Sequence, residues 1–135
     1  MLASSRVCDA SVLVAFLASD SSQGQVARRE LSSGGIVAPN LVDLEVLQGL
    51  RGLWLGGKLR DHELEESARG LERMPMLRYP VQRLGWRILQ LRHNMTAYDA
   101  SYVALAESLG VELVTFDRRM AAAPGARCAI RVLAT

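Results

Sequence analysis

Short apolar runs alternate with longer stretches in which apolar residues recur every three or four positions, and this alternation continues along the whole chain. Arg6-Val7-Cys8 predicts a short strand ending at Asp9, and Ser11 to Ala18 continues as a helix. Ser21 or Ser22 can cap a second helix that carries Val26 and Leu31 and stops at Gly34-Gly35. Ile36-Val37-Ala38 reads as a buried strand closed by Pro39. Apolar residues at 42, 46, 47, 50, 53 and 54 then have helical spacing, ended by Gly56-Gly57. Asp61 to Arg73 is a charged helix whose first turns hold Asp61, Glu63, Glu65 and Glu66, as the helix dipole favours. Met76 to Tyr79 predicts a third strand. Val81, Leu84, Ile88 and Leu91 predict the stripe of one helix running to His93. Thr96 caps a further helix through Leu109, with Gly110 as its stop. Glu112 to Phe116 predicts a strand ending at Asp117, followed by a helical turn and a last strand over Cys128 to Leu133.

Short apolar strands separated by amphipathic helices imply a parallel sheet covered on both faces. The expected architecture is a three-layer α/β/α sandwich around a small parallel sheet of four or five strands, in one domain over residues 1–135. Such sheets bind ligands beyond the C-terminal ends of their strands, near a switch in strand order. Asp9 and Asp117 each directly follow a strand. Glu45 lies early in the helix after Pro39, and Asp99 lies in the first turn after Thr96. All four acids can therefore share one rim of the sheet.

Composition adds a few limits. Half of the 135 residues are apolar and 22% are charged, which suits a globular chain. The net charge of +2 does not by itself argue for nucleic acid. Of the sixteen cations only Lys58 is lysine, and the arginines suit a phosphate-rich partner, though an arginine-rich genome explains them equally. Cys8 and Cys128 sit in apolar runs without zinc or redox spacing, as small buried hydrophobes of a reducing compartment do. The apolar run Val12 to Ala18 is seven residues long and follows an acid, so neither a signal sequence nor a membrane span is expected, and the protein is expected in the cytoplasm.

Each acid has a structural explanation when taken alone. Asp9 can cap the helix beginning at Ala10, Thr96-x-x-Asp99 resembles a capping box, and Asp117 can cap the turn at Arg118-Arg119. Glu45 can be a solvated residue opposite Val46 and Leu50. Taken together, converging carboxylates repel one another in a dry pocket, and a divalent cation resolves that repulsion. Oxygen ligands select Mg²⁺ or Mn²⁺, which can activate a water and neutralise charge on a phosphodiester.

The wording around these acids goes further. Val7-Cys8-Asp9-Ala10-Ser11, continuing to Leu17, resembles the opening of PIN-domain ribonucleases. Ala38 to Leu47 looks like the family's second block, with Glu45 as its acid. Thr96-Ala97-Tyr98-Asp99-Ala100-Ser101-Tyr102-Val103-Ala104-Leu105-Ala106, running on into Leu113-Val114-Thr115-Phe116-Asp117-Arg118-Arg119-Met120, is the most specific match. Length and block order resemble the toxin branch, the VapC-type ribonucleases of toxin–antitoxin pairs. The resemblance implies a Mg²⁺- or Mn²⁺-dependent endoribonuclease that cuts structured RNA such as tRNA or ribosomal RNA, and leaves a 5′-phosphate. It carries over Asp9, Glu45, Asp99 and Asp117 as the catalytic and metal-binding quartet, with Ser11 and Thr115 as supporting hydroxyls. It also implies a cognate antitoxin protein as partner and a homodimer. One departure is Phe116, in a slot where a smaller residue is expected.

Other residues draw weaker readings. Asp43, two positions before Glu45, points away from it on a helix and reads as a cap or a solvated side chain. His62 and His93 lack partners at metal-ligand spacing. Trp54 and Trp86 read as core or interface and not as base-stacking platforms. Arg118 and Arg119 follow a site acid and are candidates to touch RNA. The leucines between Leu41 and Arg73 either form an antitoxin-binding face or pack on the sheet. A signalling receiver domain is the rival from another class, but it needs a lysine at a late strand end, and the strand at 76–79 ends in Tyr79-Pro80. A PIN-like scaffold that binds RNA or a partner without cutting is the remaining alternative, and the intact quartet argues against it.

Overall fold

The computed structural model describes residues 5–135, so the first four positions of the expected 1–135 domain lie outside the described residues. Five parallel strands form one sheet: β1 (Arg6–Cys8), β2 (Ile36–Pro39), β3 (Leu77–Tyr79), β4 (Leu113–Thr115) and β5 (Ile130–Val132). Between and around them run α1 (Ala10–Ala18), α2 (Ser22–Leu31), α3 (Val42–Leu55), α4 (Asp61–Arg73), α5 (Gly85–Gln90), α6 (Ala97–Leu109) and α7 (Arg118–Ala122). The strand order is β3-β2-β1-β4-β5. The chain therefore builds outward from β1 to one side, then returns to lay β4 on the other. The switch point falls between β1 and β4, where Val7 pairs with Leu113 and Cys8 with Val114. Helices flank the sheet in the expected three-layer arrangement.

Burial explains the lengths. β1, β2 and β4 are buried along their whole length, which is why they read as uninterrupted apolar runs. The edge strands β3 and β5 are partly exposed. α3 buries Val42, Val46 and Leu50, one stripe at four-residue spacing. α6 is buried on nearly every side from Ala100 to Ala106 and packs against β1, β2 and β4. It starts where the Thr96 hydroxyl accepts the Asp99 N–H and ends at Gly110, whose φ of 68° is the left-handed geometry glycine adopts without strain.

One nearly buried cation needs special provision. Arg6 opens β1 with its guanidinium against Glu30 (3.1 Å) and the carbonyls of Glu30 and Ser33. Arg131 on β5 grips the same carboxylate at 2.9 and 2.7 Å and also reaches Glu112. Their guanidinium groups hold the Glu30 carboxyl below its ordinary range, and the network ties the end of α2 to strands on both sides of the switch point.

Three expectations change here. The helix predicted from Val81 to His93 is instead a 3₁₀ turn (Gln82–Leu84) followed by the short α5, with Gly85 at the junction, where glycine is a poor helix former. Leu84, Ile88 and Leu91 still face the core, but Trp86 lies on the other side and is 71% exposed, so it is not a core residue. Trp54 is exposed too, and its indole N–H donates to Asp61 at 2.7 Å. Cys8 is fully buried, which pushes its thiol up to about 12, whereas Cys128 is only partly buried and both are free. No helix among the described residues is long and apolar enough to cross a membrane.

Candidate active site

The C-terminal ends of β1 and β4 are joined by two hydroxyl groups. Ser11 donates its hydroxyl to Asp9 Oδ1 at 2.6 Å and accepts the Phe116 N–H at 3.1 Å. Thr115 donates to Asp9 Oδ2 at 2.5 Å and accepts the Asp117 N–H at 2.9 Å. Each hydroxyl thus uses its donor on the acid after β1 and its acceptor on the backbone after β4. Phe116, the one departure from the expected pattern, packs against the core while its N–H serves this bridge.

Capping and site formation use different atoms of the same side chain. Asp9 Oδ1 accepts the N–H groups of Ser11 and Val12 and so caps α1, as capping logic predicts. Among the described residues its Oδ2 accepts from Thr115 alone and keeps an acceptor lone pair free. Asp9 is 6% exposed. Burial raises its carboxyl above the ordinary range, the Ser11, Thr115 and Val12 donors oppose that rise, and the charge of Asp99 adds to it.

Glu45 and Asp99 complete the rim. Glu45 stands in the first turns of α3, where Tyr102 of α6 donates its hydroxyl to Oε1 at 2.6 Å. Burial raises the Glu45 carboxyl, the Tyr102 hydrogen bond lowers it, and the charges of Asp99 and Asp9 raise it further. Asp99 is raised by burial and then by Asp117, with Arg119 opposing. Its side chain makes no hydrogen bond among the described residues. Asp9 thus feels the charge of Asp99, Glu45 that of Asp99 and Asp9, and Asp99 that of Asp117, which turns Oδ1 toward the N–H and guanidinium of Arg119 (2.9 and 3.4 Å).

Among the described residues, no group of three or more His, Cys, Asp or Glu side chains is drawn together tightly enough to hold a metal ion by itself.

The remaining candidates sort as follows. Arg118 and Arg119 are exposed at the start of α7, beside Asp117. Asp43 is neither a cap nor a free side chain: it pairs with Arg78 of β3 through both oxygens, at 2.6 and 2.7 Å, and so ties α3 to the sheet edge. Of the leucines between Leu41 and Arg73, Leu50, Leu59 and Leu71 are buried, as the packing reading expects, while Leu44, Leu47 and Leu55 are exposed. Sequence reasoning missed Tyr102. The signal was available, because Tyr102 follows Asp99 by three positions and shares its helix face.

The sequence profile described as "PIN domain" matches residues 6–126. The chain is similar to ribonuclease VapC9 of Mycobacterium tuberculosis, 41% identical over 127 residues, covering 94% of this chain and 97% of that one. It is also similar to ribonuclease VapC1 of the same organism, 44% identical over 132 residues, covering 94% and 96%. Among solved structures, VapC20 of Mycobacterium tuberculosis, described as a sarcin-ricin loop cleaving toxin, superposes with a TM-score of 0.64 at 17% identity. That match covers 87% of this chain and 93% of the other, and speaks to the fold.

Proposed function

Because the chain belongs to the PIN-domain family, we propose that it is a VapC-type ribonuclease, the toxin of a toxin–antitoxin pair, which cuts structured RNA at the rim formed by Asp9, Glu45, Asp99 and Asp117. Relatives at 41% and 44% identity across nearly the whole chain are named ribonucleases. The observation that supports the site assignment is the Thr115 bridge that ties Asp9 to the backbone of Asp117 across the ends of β1 and β4, with the charge of Asp99 raising both Asp9 and Glu45. Raised carboxyl groups gathered without a cation of their own are what a divalent ion stabilises.

The donor set fits Mg²⁺ or Mn²⁺. Every candidate ligand is a carboxylate, with no histidine or thiol among them, and hard oxygen donors suit those ions. Mg²⁺ keeps several waters and touches only one or two carboxylates directly, so it does not need three of the acids drawn together. The second oxygen of Glu45, both oxygens of Asp99 and Oδ2 of Asp117 carry no hydrogen bond among the described residues, and Asp9 Oδ2 keeps a lone pair beside Thr115, so each acid has an oxygen that could meet an ion. When bound, such an ion lowers the pKa of a water and offsets charge on the phosphodiester.

The chain's own groups have separable roles. Asp99 has a raised carboxyl and an unengaged side chain, so it is the acid suited to take the proton from the attacking water. The water oxygen bonds to phosphorus, the bond from phosphorus to the 3′-oxygen breaks, and that oxygen leaves as a hydroxyl after taking a proton from solvent. The fragments carry a 5′-phosphate and a 3′-hydroxyl. Ser11 and Thr115 hold Asp9 against the repulsion of its neighbours. Arg118 and Arg119 are placed to meet the RNA backbone. The reading includes a single domain, a cytoplasmic location, a homodimer and a cognate antitoxin.

Purified protein is expected to cleave RNA with Mg²⁺ or Mn²⁺ and to lose cleavage in EDTA or on Asp9→Asn or Asp99→Asn. Undiminished cleavage in EDTA sinks the metal mechanism. Expression of the wild type alone is expected to arrest growth and to be tolerated beside an antitoxin gene product; harmless high-level expression counts against the toxin role. Mapping RNA ends before and after induction names the substrate.

A further inference from the structure

We propose that Arg87 and Glu107 are positioning residues for RNA binding: their ion pair clamps the segment after α7 and so fixes the backbone from which Arg118 and Arg119 reach the substrate. This rests on the ribonuclease reading and extends it to side chains outside the acidic rim.

The contacts converge on one short stretch of chain. Glu107, near the end of α6, accepts Arg87 Nε at 2.7 Å and Nη2 at 3.0 Å. Its Oε2 also accepts the Arg127 N–H at 2.6 Å. Arg87 Nη2 reaches on to the Gly125 carbonyl at 2.7 Å, and the Asn94 amide donates to the Pro124 carbonyl at 3.0 Å. α5, the turn after it and α6 thus hold the backbone at 124, 125 and 127, between α7 and β5. The ion pair is largely buried, with its side chains 19% and 12% exposed. Burial acts to raise the Glu107 carboxyl, yet Arg87 and the Arg127 N–H hold it below its ordinary range, so the clamp stays charged. Gly125 suits the place, because its φ of 103° favours glycine and a Cβ there would stand 3.2 Å from Leu91 Cδ2.

α7 needs such an anchor. At five residues it is too short to hold itself together, since starting a helix is costly. Its beginning is held by Thr115, which accepts the Asp117 N–H, and by Asp117, which accepts the Arg119 N–H. Its end is closed by Ala123, whose N–H donates to the Arg119 carbonyl at 3.0 Å. Ala123 directly precedes the clamped Pro124. Holding Pro124 and Gly125 therefore secures the bond that fixes the backbone of Arg119. That backbone matters to the substrate, because the Arg119 side chain is 93% exposed and its charge is felt by Asp99. A cation carried on a fixed backbone loses less freedom when it meets a phosphate. Asp117 has a separate anchor in Thr115, so releasing the clamp loosens the arginines more than the acid.

The test uses the full chain. Arg87→Lys keeps the charge opposite Glu107 but gives up the fork that also reaches Gly125. Gly125→Ala strains the same segment without removing a charge. Each is expected to speed amide hydrogen exchange over 117–127, with exchange over β1, α1 and α3 close to that of the wild type. Each should also raise KM for RNA cleavage by about tenfold, the worth of one charged hydrogen bond. kcat should stay nearly unchanged, and the salt dependence of KM should flatten. In an Arg118→Gln, Arg119→Gln background, Arg87→Lys should add nothing further to KM, because the groups it positions are gone. Unchanged exchange over 117–127, an unchanged KM, or a KM effect that adds in full to that of the arginine pair overturns the clamp, while wild-type cleavage leaves the ribonuclease reading intact. Faster exchange spread through the whole domain makes the ion pair a general stabiliser and also overturns the clamp. A wild type that does not cut RNA overturns both.

Discussion

Tyr102 donates its hydroxyl to Glu45 Oε1 across 2.6 Å, joining α6 to α3 over 57 positions of sequence. The ring is almost fully buried, and burial together with the Glu45 charge holds its hydroxyl protonated far above the ordinary tyrosine range. This contact sets the direction of the acid that sequence alone leaves least constrained, since Glu45 has no cap role and no strand end beneath it. Tyr102→Phe keeps the packed ring and removes only the donor. Stability should fall by about 1 kcal/mol, and cleavage or metal affinity by about tenfold or more, as for other groups that orient a metal ligand. Titrating activity against Mg²⁺ concentration checks it; an unchanged titration means the contact is structural only.

Thr115 lies at the centre of the hydroxyl bridge and is fully buried. Thr115→Val preserves its shape but leaves the Asp117 N–H without its acceptor and Asp9 Oδ2 without its donor, for a cost of about 1–3 kcal/mol. Losing that donor also removes an influence that lowers the Asp9 carboxyl, so the acidic limb of the pH–rate profile should move to higher pH. Thr115→Ser should restore most of both. A profile that does not move shows that Asp9 is held without Thr115.

Metal binding should appear as stability. An ion that binds the folded state alone adds about 2.7 kcal/mol when present at a hundred times its Kd. Thermal melts of the wild type should therefore rise with Mg²⁺ or Mn²⁺ and fall back in EDTA. Asp9→Asn and Asp99→Asn should melt at temperatures insensitive to the ion. An ion-dependent rise retained by both variants places the ion elsewhere.

The pH dependence has a definite sign. Asp9, Glu45 and Asp99 are all raised, with burial the largest cause, so the folded chain binds their protons more tightly than the unfolded chain does. Their contribution to stability is then fully present below the ordinary carboxylate range and is lost as pH rises through their raised values. In EDTA, Asp99→Asn should therefore gain on the wild type as pH rises from about 4 to 7. Denaturant melts at each pH measure the gap. A gap independent of pH means that Asp99 titrates normally.

Gly24 tests packing away from the site. A Cβ there would stand 1.9 Å from the Ser19 carbonyl oxygen, a backbone atom that cannot swing aside. Gly24→Ala improves helix propensity by about 1 kcal/mol, yet should destabilise the protein by about 1–3 kcal/mol through overpacking. A rise in the melting temperature would show that α1 and α2 can separate at no cost.

Much of this molecule follows from local pattern. Strands that are buried on both faces are apolar throughout, helices announce themselves by spacing and by Thr96 and Gly110, and Asp9 and Asp117 fall directly after strands. Those facts are short-range, so the chain itself carries them, and with them the parallel sheet and the expectation that four acids share one rim. The family wording then marked Glu45 as the acid of its second block. What the sequence left open depends on contacts between distant elements. Which partner Asp43 takes (Arg78), which face of α5 is buried, and which hydroxyl reaches which oxygen of Asp9 are decided only when β1 and β4 lie side by side. The carboxylates illustrate the difference best. Their residue types and positions along the chain are local properties, but the raised protonation of Asp9, Glu45 and Asp99 and the hold of Tyr102 on Glu45 arise from burial and distance, which exist only in the folded protein.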